Sequence, residues 1–85
     1  MIFMNELLYY LLGSYFGDGH IYYKNNSYQL IIVSEDYDFL VYNNSICYFC
    51  FEKIGNITKV KNYYKLVICS KKLCDFILNK FCSEN

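Results

Sequence analysis

Eighty-five residues make a single domain, long enough for a modest hydrophobic core and short enough to gain from a partner. The chain is 55% hydrophobic and 21% aromatic and lacks Arg, Ala, Pro and Trp, a bias that resembles AT-rich coding and weakens any argument from tyrosine numbers. Its formal net charge of zero excludes the strongly basic composition that announces many nucleic-acid binders.

Taken in chain order, residues 2–16 predict a helix with a core stripe of Phe3, Leu7, Leu8, Leu11 and Tyr15. Another face gathers Glu6, Tyr9, Tyr10, Gly13 and Gly17, with Phe16 beside it. Gly costs about 1 kcal/mol relative to Ala inside a helix, so two at i, i+4 suggest a packing reason. Small residues at that spacing let two helix backbones approach closely. Asp18 falls where the helix ends, at the wrong pole of the macrodipole for a carboxylate, and a divalent cation would compensate it. Gly19 is placed to take the positive φ of a C-cap.

His20–Lys24 and Tyr28–Val33 are β-rich runs joined by Asn25-Asn26-Ser27, a hairpin signal. Ser34 is the expected N-cap of a second helix, with Glu35 and Asp36 in its first turn. That helix runs through Phe39, Leu40, Ile46, Cys47, Cys50 and Ile54, and Gly55 punctuates its end. Ile57–Lys61 and Tyr64–Cys69 form a second strand pair around Asn62-Tyr63. Ser70 caps a last helix bearing Leu73, Phe76, Ile77 and Phe81 at helical spacing. The predicted order is αββαββα over one domain, residues 1–85, without linker or repeat.

Strand alternation places Tyr28, Leu30 and Ile32 toward the core and Gln29, Ile31 and Val33 on the other face. Residues 1–51 carry Glu6, Asp18, Glu35, Asp36 and Asp38 against Lys24, while residues 52–72 carry six lysines against Glu52. The basic segment is either a phosphate-facing surface or a solvated face. Cys47-x-x-Cys50 and Cys69-x4-Cys74 have the residue types of a zinc site. The second spacing, and a first pair inside a predicted helix, favour buried free thiols. The N-terminal apolar run is interrupted by Asn5 and Glu6 and too short for a bilayer, so a soluble intracellular protein with reduced thiols is expected.

Leu11 through Gly19 resembles the LAGLIDADG motif of homing endonucleases, at its first leucine, both inner small positions, the final Asp and the final Gly. Tyr10-Leu-Leu-Gly and Gly17-Asp-Gly-His-Ile-Tyr are similar to the archaeal, intron-encoded branch. The element order is that of one half-unit of this fold, so the resemblance covers nearly the whole chain. It implies an α+β fold with a four-stranded antiparallel saddle and the motif helix at a dimer interface of Tyr9, Tyr10, Gly13, Phe16 and Gly17. It also implies Mg²⁺ or Mn²⁺ held by Asp18 and the Gly17 carbonyl, and duplex DNA on the saddle. Lys24, Gln29, Lys59, Lys61 and Lys65 are then candidates for DNA contact, with Lys71 reaching the backbone. Lys59 and Lys61 are expected to share a face. Relatives place a Lys or Arg just after the second strand, where this chain reads Ser34-Glu35-Asp36. The implied function is a homodimeric, metal-dependent DNA endonuclease of intron or intein mobility. The alternatives are a DNA- or RNA-binding protein of the same fold without nuclease activity, acting in regulation or splicing, and a small interaction domain.

Overall fold

The computed structural model describes residues 2–82 and the side chains of residues 6–79. The elements are α1 (Ile2–Asp18), β1 (Gly19–Lys24), β2 (Ser27–Ser34), α2 (Tyr37–Phe51), β3 (Asn56–Val60), β4 (Tyr63–Cys69) and α3 (Lys71–Cys82). The αββαββα order is the one the sequence predicts. Phe3 and Phe81, expected on core stripes, have side chains outside the described set.

The four strands form one antiparallel sheet in the order β1-β2-β4-β3, with β2 and β4 central. The β1–β2 hairpin turns on Asn25 (φ 55°) and Asn26 (φ 61°), both left-handed. That is the two-residue primed turn whose twist matches the strands, and Asn tolerates it well. Ser27, expected in the turn, already pairs with Lys24. The β3–β4 loop is Lys61-Asn62, one residue earlier than expected, and Lys61 carries the positive φ of 55°.

Leu30 and Ile32 of β2 and Leu66 and Ile68 of β4 are fully buried on one face of the sheet. There they meet Leu11 of α1, Leu40, Ile46 and Cys47 of α2, and Leu73, Cys74 and Ile77 of α3. Fully burying each Leu or Ile contributes roughly 1.5–3 kcal/mol, which makes this row of eleven the main support of a small domain. All three helices therefore share one side of the sheet.

The caps depart from expectation. Asp36, not Ser34, is the N-cap of α2: its Oδ1 accepts from the amides of Asp38 (3.1 Å) and Phe39 (3.3 Å). Ser34 instead accepts the Asp36 amide through Oγ at 3.0 Å, which fixes the approach to that cap. The helix ends at Phe51 rather than Ile54, and Glu52 closes it in the left-handed region (φ 58°, ψ 33°), its amide donating to the Tyr48 carbonyl at 2.9 Å. Gly55 is not a cap. It is pressed against the Val67 backbone and the Ile68 side chain, where a Cβ would collide. Ser70 caps α3 as predicted, its Oγ accepting from the Leu73 amide at 3.1 Å.

Candidate nucleic-acid interface and metal centre

The first helix is apolar on more faces than its own domain can cover. Leu11 is fully buried, and Leu7, Leu12 and Tyr15 pack against the core. Tyr9 is 69% exposed, Tyr10 43% and Phe16 71%. Beside Tyr10 lies a hollow of about 320 Å³ lined by Tyr10, Gly13, Ser14, Gly17, Asp18 and Phe39. A Cβ added at Gly13 or Gly17 would meet nothing within 4 Å. Neither glycine is explained by a contact among the described residues.

Asp18 is the last residue of α1 and is exposed. The peptide that follows enters β1 directly, without the left-handed cap expected at Gly19; no glycine has a positive φ. Gly19 serves a different purpose. A Cβ there would stand 3.0 Å from the Tyr15 Cα and 3.3 Å from the Ile31 carbonyl, tighter than side chains ordinarily pack, so glycine favours this close approach of the helix end to the sheet.

Beside Asp18 opens a cleft of about 550 Å³ lined by Asp18, Val33, Ser34, Glu35, Asp36 and Tyr63. Three of the six carry carboxylates and none carries a cation. The end of α1 adds helix carbonyls that lack intrahelical donors, and its dipole favours a positive charge. Hard oxygen donors of this kind suit Mg²⁺ or Mn²⁺. Among the described residues, however, no three His, Cys, Asp or Glu side chains converge into a complete cage. The described side chains of one copy therefore do not by themselves form a metal site.

The sheet face opposite the helices is not covered by any described element. Directly paired residues share a face, so the registers assign its rows. Val33, Lys65 and Thr58 form one row, and His20, Ile31, Val67 and Asn56 the next. Tyr22, Gln29 and Cys69 follow, then Lys24 and Ser27. The rows contain two lysines and no carboxylate. Lys24, Gln29 and Lys65 thus lie together on the open face. Lys59 does not: it pairs with Tyr64 on the helix side, its Nζ 6.0 Å from that ring centroid. Lys61 sits in the turn, so the expected shared face of Lys59 and Lys61 is not formed. Thr58 takes the place on β3 opposite Lys65, and strand alternation counted from the core residue Ile57 would have found it.

Lys71 lies at the start of α3, hydrogen-bonded to Asp75 at 2.9 Å, which holds its ammonium in the charged form. It borders a hollow of about 290 Å³ together with Lys53 and Lys72, two cations that sequence reasoning did not single out. Cys47 and Cys74 face the core, whereas Cys69 is exposed on the opposite face of the sheet, so the second cysteine pair is split.

No family model and no curated protein matches the chain significantly. Solved structures do. A doubly substituted form of the homing endonuclease I-DmoI, in complex with its nicked target DNA and Mn, is similar at 26% identity and a TM-score of 0.76, over 92% of this chain and 50% of that one. The fold is the LAGLIDADG half-unit. I-DmoI with DNA and Mn matches at 25% identity and a TM-score of 0.72, covering 92% of this chain and 50% of that one. Mesophilic variants of I-DmoI match at 26% and 0.70, covering 89% and 46%. The chain spans about half the length of the solved chains it matches. No helix among its described residues is long and apolar enough to cross a membrane.

Proposed function

We propose that this chain is a LAGLIDADG homing endonuclease of the archaeal, intron-encoded type that cleaves duplex DNA as a homodimer. The observation that carries the proposal is the placement of Asp18 at the end of a helix whose Gly13 and Gly17 face open space. An isologous pairing along those glycines covers Tyr9, Tyr10 and Phe16 of both copies and sets Asp18 beside Asp18 of the partner subunit. Two carboxylates and two sets of helix-end carbonyls, the Gly17 carbonyl among them, then complete the donor set that one copy lacks. Asp18 and the Gly17 carbonyl of both copies would hold Mg²⁺ or Mn²⁺ there, which would supply charge neutralisation at a scissile phosphate and a more acidic water. The chain's own part is to hold the carboxylates at the helix ends and to seat the duplex on the open sheet face. Lys24, Gln29 and Lys65 lie on that face, and Lys61, in the β3–β4 turn at its edge, is the candidate for a backbone phosphate.

A second reading is binding without cleavage, as a regulatory or splicing accessory of the same fold. One observation favours it: the cleft at Asp18 is lined by Glu35 and Asp36 with no cation to steady an attacking water.

Incubation with a randomised duplex library in Mg²⁺ or Mn²⁺ separates the two. The endonuclease reading expects cut duplexes from the parent and none from Asp18→Asn, which still binds. Absence of cutting by the parent, or equal cutting by Asp18→Asn, overturns it. Binding that weakens steeply with salt but never cuts supports the second reading.

A further inference from the structure

The row of the open face one step from Asp18's cleft carries apolar side chains at its centre. Ile31 and Val67 are direct cross-strand partners on the two central strands, both half-buried, flanked by His20 and Asn56. Neither side chain reaches the buried core, which is built from Leu30, Ile32, Leu66 and Ile68 on the other face. On a face without carboxylates, this pair has no hydrogen-bonding group to offer a base edge. The one apolar feature in the major groove is the 5-methyl group of thymine.

We propose that Ile31 and Val67 together read a thymine methyl group in each half of the target, a specificity that rests on the DNA-binding reading above. The registers also give its neighbours. Rows on one face are two residues apart, about 6.6–6.8 Å along the strand, which is about two base-pair steps of ~3.4 Å. Lys65, nearer the cleft, is placed to address guanine O6 and N7, and Gln29, on the far side, adenine N6 and N7. The half-site then reads guanine, thymine and adenine at alternate positions, with guanine toward the cleavage centre. Which strand carries each base is left to the duplex.

The test uses the full chain and duplexes recovered by binding selection from a random pool. Each thymine in a recovered duplex is replaced by uracil, which removes the methyl group and nothing else. The expected result is one sensitive position per half-site, with a roughly fourfold loss of affinity when one half is changed, the ~0.8 kcal/mol of a buried methyl-sized group converted at ~1.4 kcal/mol per decade. Changing both halves multiplies the loss to about fifteenfold. In an Ile31→Ala, Val67→Ala variant the same replacement has no effect. A parent that binds its selected duplexes with no uracil-sensitive position overturns the proposal and leaves the DNA reading standing; this arm needs no variant to fold. Sensitivity that persists undiminished in the variant overturns it as well. A parent that retains no DNA duplex at all overturns the DNA reading itself, and this inference with it.

Discussion

Asn44 and Gly55 are joined twice across the end of α2. The Asn44 Oδ1 accepts the Gly55 amide at 2.8 Å, and its Nδ2 donates to the Gly55 carbonyl at 3.2 Å. One side chain thus satisfies both backbone groups of a residue that leads into an edge strand, at the point where the chain passes beneath Val67 and Ile68. Asn44→Ala is expected to lower stability by about 2 kcal/mol, two hydrogen bonds at ~1 kcal/mol each. Urea midpoints of the two proteins at matched slope check the value. A variant within ~0.5 kcal/mol of the parent would mean that the strand is held by its ladder alone.

Glu52 offers the opposite experiment. It holds the left-handed conformation that closes α2, and its carboxylate sits at the helix's negative pole. Glu52→Gly removes both penalties at the cost of a looser unfolded chain. The net expectation is a gain of about 1 kcal/mol, read as a higher urea midpoint. Glu52→Asn, which tolerates the same conformation, should move the same way.

Gly13 separates folding from association. A Cβ there enters open space within the chain, so Gly13→Ala should strengthen the isolated helix by up to ~1 kcal/mol. On the proposed dimer the same methyl group stands where the second helix must approach, and Gly13→Leu should yield monomer. Sedimentation across a dilution series, beside urea unfolding at the lowest concentration, reads both effects. A parent that is monomeric at tens of micromolar, or a Gly13→Leu protein that dimerises like the parent, would remove the seam from the argument.

The thiols set an alkaline limit. Burial pushes the Cys47 thiol up from its ordinary 9.0 to about 12, with Cys50 and Cys74 adding to the effect. Cys74 rises to about 11, again chiefly by burial, then through Asp75 and Cys69. Below pH 9 both folded and unfolded chains keep these protons, and the stability is fully present. Above it the unfolded chain releases them first, so stability falls by about 1.4 kcal/mol per pH unit per thiol until the folded values are reached. Unfolding at pH 10 should therefore cost roughly 2–3 kcal/mol less than at pH 8. Cys47→Ala should recover about half of that difference, and an unchanged pH slope in that variant would assign the loss to other groups.

The helices and strands were legible because their periodicities do not conflict: Leu30 and Ile32 alternate as a strand must, and Leu73 and Ile77 recur as a helix must. The cap of α2 was not, since Ser34 and Asp36 are both good caps two residues apart. The bonds from the Asp38 and Phe39 amides to Asp36, and from the Asp36 amide to Ser34, show which one begins the helix and which one turns the chain. Gly19 was misassigned because a glycine after a helix serves equally for a left-handed cap or for a tight passage, and local sequence does not distinguish them. Lys59 was misplaced for a third reason. Charge suggested the open face, but Ile57, two residues before it, is needed by the core, and the pleat carries Lys59 to the same side. The motif Gly13-x3-Gly17-Asp18 was legible because two glycines at i, i+4 cost a helix about 1 kcal/mol each, and a carboxylate sits at the wrong pole of its dipole.

The direct passage from Asp18 to Gly19 has a mechanical consequence. A single peptide bond joins the candidate metal carboxylate to the first strand of the face proposed to hold the duplex. With no linker to absorb a rotation of α1, the offset between the bond that is cut and the bases that are read becomes a fixed gauge length. Loosening that junction, for instance with an inserted residue, should spread cleavage over neighbouring phosphates while leaving the recognised bases the same. The glycine packed under Tyr15 then acts less as a turn than as the stop on a ruler.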